Sequence, residues 1–158
     1  MNRTGIILLV EDNPDDVDLT LRAFQNNRIR NKIVVARDGQ EALDYLFAAC
    51  ANSGRTPVAI PEVVLLDLKL PKVDGIEVLR RLRADERTRR LPVVMLTSSN
   101  EDRDIVASYD FGANSFLRKP VTFPDLVKVV EALGLYWLLL NEPPPVPDPS
   151  NCSGVEVG

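Results

Sequence analysis

Ile6-Ile7-Leu8-Leu9-Val10-Glu11-Asp12-Asn13-Pro14-Asp15-Asp16 decides the architecture. Five apolar residues in a row, without polar alternation, read as a strand covered on both faces, as in a parallel sheet. Two acids end the run. Asn13 can then cap a helix, Pro14 suits its first turn, and Asp15 and Asp16 favour its positive end. The stretch is therefore strand, acidic turn, helix. The same grammar repeats along the chain. Ile33-Val34-Val35-Ala36, Val63-Val64-Leu65-Leu66 and Val93-Val94-Met95-Leu96 are further buried-strand runs, and Ser115-Phe116-Leu117 is a weaker fifth. Helical faces lie between them: Val17, Thr20, Leu21 and Phe24; Leu43, Leu46 and Phe47; Ile76, Leu79 and Leu82; Ile105 and Tyr109. A last helix begins near Phe123 and carries Leu126, Val130 and Leu133. Gly112 fits a helix C-terminus. Five β-α units in series predict an α/β fold, a doubly wound parallel sheet with right-handed crossovers.

Composition agrees with one soluble domain. The chain has 158 residues, 45% hydrophobic and 27% charged. Its 19 basic and 23 acidic side chains give a net charge of -4, which argues against nucleic acid or a membrane surface as partner. No run approaches the roughly 20 apolar residues of a spanning helix. The apolar start is too short, and ends too acidic, for a signal peptide. Cys50 and Cys152 read as reduced thiols of a cytoplasmic protein. Histidine is absent. That removes Ser-His-Asp catalysis, His-ligated zinc and phosphohistidine carriage, and leaves oxygen as the donor for any metal, which suits Mg or Ca. Residues 51–61 form a longer loop. Pro143, Pro144, Pro145, Pro147 and Pro149 mark 141–158 as an extended tail behind a domain of residues 5–140.

In an open α/β sheet, ligands bind beyond the carboxyl ends of the strands. Glu11 and Asp12 follow the first strand, Asp67 the third, Thr97 the fourth, and Lys119 and Pro120 the fifth. One acid at a strand end is ordinarily a cap or a solvated turn, and a lone lysine is ordinarily on the surface. Convergence of the set changes that reading. Three crowded carboxylates repel unless a cation intervenes, and a hard divalent ion with oxygen ligands resolves the conflict. Lys119 adds a fixed positive charge and Thr97 a hydroxyl. Together they could hold a phosphoryl group on one carboxylate, with Asp67 as nucleophile.

At this point the sequence resembles the response-regulator receiver domains of two-component signalling. The resemblance rests on Leu9-Val10-Glu11-Asp12-Asn13, on Asp67-Leu68-Lys69-Leu70-Pro71-Lys72-Val73-Asp74-Gly75, on Leu96-Thr97-Ser98 and on Phe116-Leu117-Arg118-Lys119-Pro120. It implies strand order 2-1-3-4-5, with Asp67 as phosphoacceptor. It implies Mg2+ held by Glu11, Asp12, Asp67 and the backbone carbonyl of Lys69. Thr97 would bind the phosphoryl group, Lys119 would neutralise it, and Thr97 with Phe116 would form the switch. The Lys119-Pro120 bond is expected to be cis. Glu11 stands where the family more often has Asp, which keeps the charge on a longer arm. Lys69 is expected either to tune dephosphorylation, in a direction left open, or simply to be solvated.

Val10-Glu11-Asp12-Asn13-Pro14-Asp15-Asp16, the 51–61 loop and the end Tyr136-Trp137-Leu138-Leu139-Leu140-Asn141-Glu142-Pro143-Pro144 resemble the single-domain regulators of phytochrome-type histidine kinases. A sensor histidine kinase is then the expected partner. The chain is expected not to be an enzyme beyond its own phosphorylation and autodephosphorylation. Leu135 to Leu140 have no polar face, which points to a homodimer through Tyr136, Trp137, Leu138 and Leu140, or to a fold-back onto the same domain. The arginines between Arg80 and Arg90 read as a solvated face and loop.

Alternatives are a phosphorelay intermediate serving a histidine phosphotransfer protein, and a scaffold that is never phosphorylated. An aspartate-nucleophile phosphatase would need an acid where Lys69 stands. A flavodoxin-like carrier would need a phosphate loop where Glu11-Asp12-Asn13-Pro14 would repel one.

Overall fold

The computed structural model describes residues 5–29, 31–51, 60–98, 101–120 and 122–140. Their order is β1 (Ile7–Val10), α1 (Pro14–Asn26), β2 (Ile33–Ala36), α2 (Gly39–Ala51), β3 (Val63–Leu66), α3 (Gly75–Ala84), β4 (Val93–Thr97), α4 (Asp102–Asp110), β5 (Ser115–Arg118) and α5 (Phe123–Leu133). A π-helical segment, Gly134–Leu140, continues α5. All five strands are parallel, in the order β2-β1-β3-β4-β5 that the resemblance implied.

Sequential residues of a strand point to opposite faces, and here both faces are covered. Leu8, Val10, Val64, Leu66, Val93 and Met95 pack against Leu43 and Leu46 of α2 and Val78, Leu79 and Leu82 of α3. Ile7, Leu9, Val63, Leu65 and Val94 pack against Val17 and Phe24 of α1 and Leu126, Val130 and Leu133 of α5. This is why the strand runs carry no polar alternation. Each such side chain, fully buried, stabilises by about 1.5–3 kcal/mol.

The helix starts follow the capping residues. Asn13 Oδ1 accepts the amides of Asp15 (2.9 Å) and Asp16 (3.3 Å). Asp74 caps α3 through the Glu77 amide at 2.9 Å, and Thr122 caps α5 through Asp125 at 3.3 Å. Gly112 follows α4 with φ +101°, the left-handed stop expected of it.

Three expectations are corrected. First, α4 does not bury the face of Ile105 and Tyr109. Its buried residue is Ser108, and Tyr109 is 51% exposed. The Ser108 hydroxyl donates to the Asp104 carbonyl at 2.7 Å, so a small side chain with a satisfied hydroxyl takes the packed position.

Second, the arginine run is solvated only in part. Arg80 and Arg81 do pair with Glu77, and their hydrogen bonds lower its carboxyl to about 2. Arg83 instead donates to the carbonyls of Gly112 (2.9 Å) and Arg89 (2.9 Å) and to Asn114 Oδ1 (3.1 Å). Arg87 pairs with Asp85 and lies 5.2 Å from the centre of the Phe47 ring. Arg83 is thus partnered by two backbone carbonyls and the Asn114 side chain, and Arg87 by the Asp85 carboxylate.

Third, no peptide bond among the described residues is cis, so Lys119-Pro120 is trans. The trans form is the ordinary preference of such bonds, by about 0.5–1 kcal/mol. From it, Lys119 still reaches the strand-end acids.

At the end of the chain Trp137 is half-buried against its own domain, beside the cluster of Phe24 and Leu133, and Tyr136 meets it edge-to-face at 5.1 Å. Leu135 and Tyr136 face outward. The side chains of Leu138 and Leu140, that of Cys50, residue 152, most of the 51–61 loop and the 141–158 tail lie outside the described residues. No helix among the described residues is long and apolar enough to cross a membrane.

Candidate functional site

Register brings the acids together. Val10 and Leu66 are partners across β1 and β3, so Glu11 and Asp67 leave the sheet side by side. Backbone bonds hold them there: the Glu11 amide donates to Ala36 O at 3.0 Å and the Asp67 amide to Val10 O at 3.1 Å. Across β4, the Lys119 amide donates to Thr97 O at 2.8 Å.

One carboxylate oxygen from each of Glu11, Asp12 and Asp67 lies within 4.8 Å of the others. Glu11 and Asp67 are buried and Asp12 is exposed, which makes a site closed behind and open in front. All three donors are hard anionic oxygens, so the set fits a divalent cation such as Mg2+. Lys119 Nζ bonds Glu11 Oε1 and lies 3.2 Å from Asp67 Oδ2 and 3.3 Å from Asp16 Oδ2. Three carboxylates thus surround one ammonium.

The protonation of Glu11 registers this crowding. Burial pushes its carboxyl up to about 7; the Lys119 hydrogen bond opposes the rise and the neighbouring Asp67 charge adds to it. For Lys119, burial opposes the charged form. The bond to Glu11 and the charges of Asp67, Glu11 and Asp16 outweigh it, so its ammonium is held above the ordinary lysine range.

The loop after Asp67 is held from below. Gly75 N donates to Leu68 O at 2.7 Å, and a Cβ on Gly75 would stand 2.2 Å from the Asp67 carbonyl oxygen. Lys72 sits at φ +67° in a three-residue turn closed by Val73 N to Pro71 O at 2.8 Å. Its ammonium reaches Asp38, at the start of α2, at 3.4 Å.

The other expected residues lie as follows. Thr97 is buried at the end of β4. Phe116 is half-buried on β5, packed against the α2–α3 side of the core. The Lys69 side chain is exposed. Tyr136 and Trp137 stand in the segment that continues α5, away from the strand ends. In the sequence, Asp16 shows only as a favourable charge at a helix start. Its place as third residue of α1, whose N-terminus faces the acidic turn, was the available signal.

The response regulator receiver domain family matches residues 7–131. The chain is 47% identical over 139 residues to the probable methanogenesis regulatory protein FilR2 of Methanothrix harundinacea, covering 88% of this chain and 87% of that one. It superposes on the phosphorylated cyanobacterial phytochrome response regulator RcpA with TM-score 0.81 and 35% identity, covering 90% of this chain and all of that one. On the bacteriophytochrome response regulator AtBRR the TM-score is 0.68 and the identity 52%, covering 89% of this chain and 100% of the other.

Proposed function

We propose that this chain, which belongs to the response regulator receiver domain family, takes a phosphoryl group onto Asp67 from a sensor histidine kinase of the phytochrome type. It would do so in the cytoplasm. The supporting observation is the gathering of Glu11, Asp12, Asp67 and Lys119 at adjoining strand ends. In the transfer an Asp67 carboxylate oxygen attacks phosphorus. The phosphorus–nitrogen bond of the kinase phosphohistidine breaks, and its imidazole nitrogen keeps the electron pair. Glu11, Asp12, Asp67 and the Lys69 carbonyl would hold a Mg2+ ion, which would supply positive charge against the phosphoryl oxygens. Lys119, whose ammonium lies 3.2 Å from Asp67 Oδ2, adds a second positive charge. The Thr97 hydroxyl donates to a phosphoryl oxygen. Autodephosphorylation runs at the same group, with water attacking phosphorus and releasing the Asp67 carboxylate.

The kinase class is supported by the likeness to AtBRR and RcpA. It is tested by phosphotransfer from a purified, autophosphorylated phytochrome-type kinase, beside an unrelated histidine kinase. Faster transfer from the first, by about tenfold or more in kcat/KM, is expected. Equal rates would refute the pairing.

Movement of Thr97 toward the phosphoryl group makes room for Phe116, and the face of α4, β5 and α5 changes with it. A homodimer forms through the exposed Leu135 and Tyr136, with the segment beyond them. Light scattering at micromolar concentration, with and without beryllofluoride, is expected to return a dimer mass in at least one condition. A monomer in both would remove the dimer. If Phe116→Ala left partner affinity as responsive to phosphorylation as before, Phe116 would not be the switch.

A further inference from the structure

Lys119 has more anionic partners than its proposed task requires. Glu11 and Asp67 belong to the group of acids that can gather a cation; Asp16 does not. Asp16 lies on α1, its side chain 40% exposed, and reaches the Lys119 ammonium from outside at 3.3 Å. The Asp16 backbone is fixed by the Asn13 cap and by the Thr20 hydroxyl, which donates to Asp16 O at 2.8 Å. The carboxylate is therefore presented to Lys119 by a rigid helical turn.

We infer that Asp16 is a positioning residue that competes with the phosphoryl group on Asp67 for the Lys119 ammonium. This rests on the proposed function of Asp67. A divalent cation held by Glu11, Asp12 and Asp67 would offset the charges that draw Lys119 inward. Asp16 keeps its full charge and becomes the principal anion holding the ammonium against a newly arrived phosphoryl oxygen. Its pull makes the phosphorylated form less favourable than the other residues alone would make it.

The test is the affinity for beryllofluoride at saturating Mg2+, measured by calorimetry on the full chain. Asp16→Asn is expected to bind beryllofluoride about threefold or more tightly, the scale of a partly exposed ion pair. Asp16→Glu, which restores the charge, is expected to return toward the wild-type value. Asp15→Asn is the control. Asp15 is exposed in the same first turn and serves the helix terminus in the same way, without touching Lys119. A titration with Mg2+ alone separates any loss of cation affinity from the gain on Lys119. Unchanged or weaker beryllofluoride binding by Asp16→Asn, or an equal gain in Asp15→Asn, overturns the inference while leaving Asp67 in its role. No beryllofluoride binding by the wild-type chain overturns the Asp67 reading, and this inference with it.

Discussion

Glu11→Gln is expected to make the metal-free chain more stable at pH 8, by on the order of 2 kcal/mol, while removing its response to Mg2+. Glu11 is 2% exposed and its carboxyl stands at about 7, raised by burial and by Asp67 against the pull of Lys119. In the unfolded chain it would titrate near 4.5. A folded value above the unfolded one means that folding favours the protonated acid. The stabilisation this brings is fully present below 4.5 and is lost as pH rises through 7. Wild-type stability in chelator should therefore fall across that window more steeply than that of Glu11→Gln. Glutamine mimics the protonated acid and keeps an acceptor for Lys119. Urea unfolding at several pH values, with and without Mg2+, measures both effects. A Gln variant less stable than wild type at pH 8 without metal would mean that the Lys119 pairing outweighs the burial cost. The site would then not be held at the expense of stability.

Gly75→Ala should do the opposite: less stability, and less phosphoryl uptake than the lost stability explains. A Cβ here would stand 2.2 Å from the Asp67 carbonyl oxygen and 2.8 Å from the Leu68 Cα, both backbone atoms that no rotamer change can move aside. The strand end carrying Asp67 must shift. Overpacking of this kind costs about 1–3 kcal/mol. A misplacement of about 1 Å at a reacting group can cost about a hundredfold in rate. Gly112→Ala is the comparison. Gly112 has φ +101°, and an added Cβ meets the Arg83 side chain, beside the loop that precedes β5. It should destabilise while leaving the rate of uptake from acetyl phosphate near wild type at a temperature where both variants are folded. Equal rates for Gly75→Ala and Gly112→Ala would show that Gly75 supports the fold without setting the position of Asp67.

Much of this was legible locally. The β1, β2, β3 and β4 runs are apolar because two helical layers cover them, and that leaves a direct mark in sequence. The Asn13 cap and the acids after β1 and β3 are read from neighbouring residues alone. The features that escaped are non-local. Arg83 finds Gly112 and Asn114 from 29 and 31 residues away, and nothing in its own helix distinguishes it from Arg80 or Arg81. Ser108 is buried because its hydroxyl is satisfied within its own helix, so polarity misled about the packed face of α4. Asp16 faces Lys119 across 103 residues, and its nearer duty at the helix start concealed it. Trp137 could have faced a second copy or its own domain, and nothing in its own stretch foretells that it packs, half-buried, beside the Phe24 and Leu133 cluster.

Whether Asp67 is the acceptor is tested most directly by the intact mass of the chain after incubation with acetyl phosphate and Mg2+, with Asp67→Asn alongside. The wild-type chain is expected to gain one phosphoryl group, and to gain none when Mg2+ is chelated. Asp67→Asn is expected to gain none in either condition. An adduct of equal yield in Asp67→Asn, or a folded wild-type chain that takes up no phosphoryl group and binds no beryllofluoride, would contradict it.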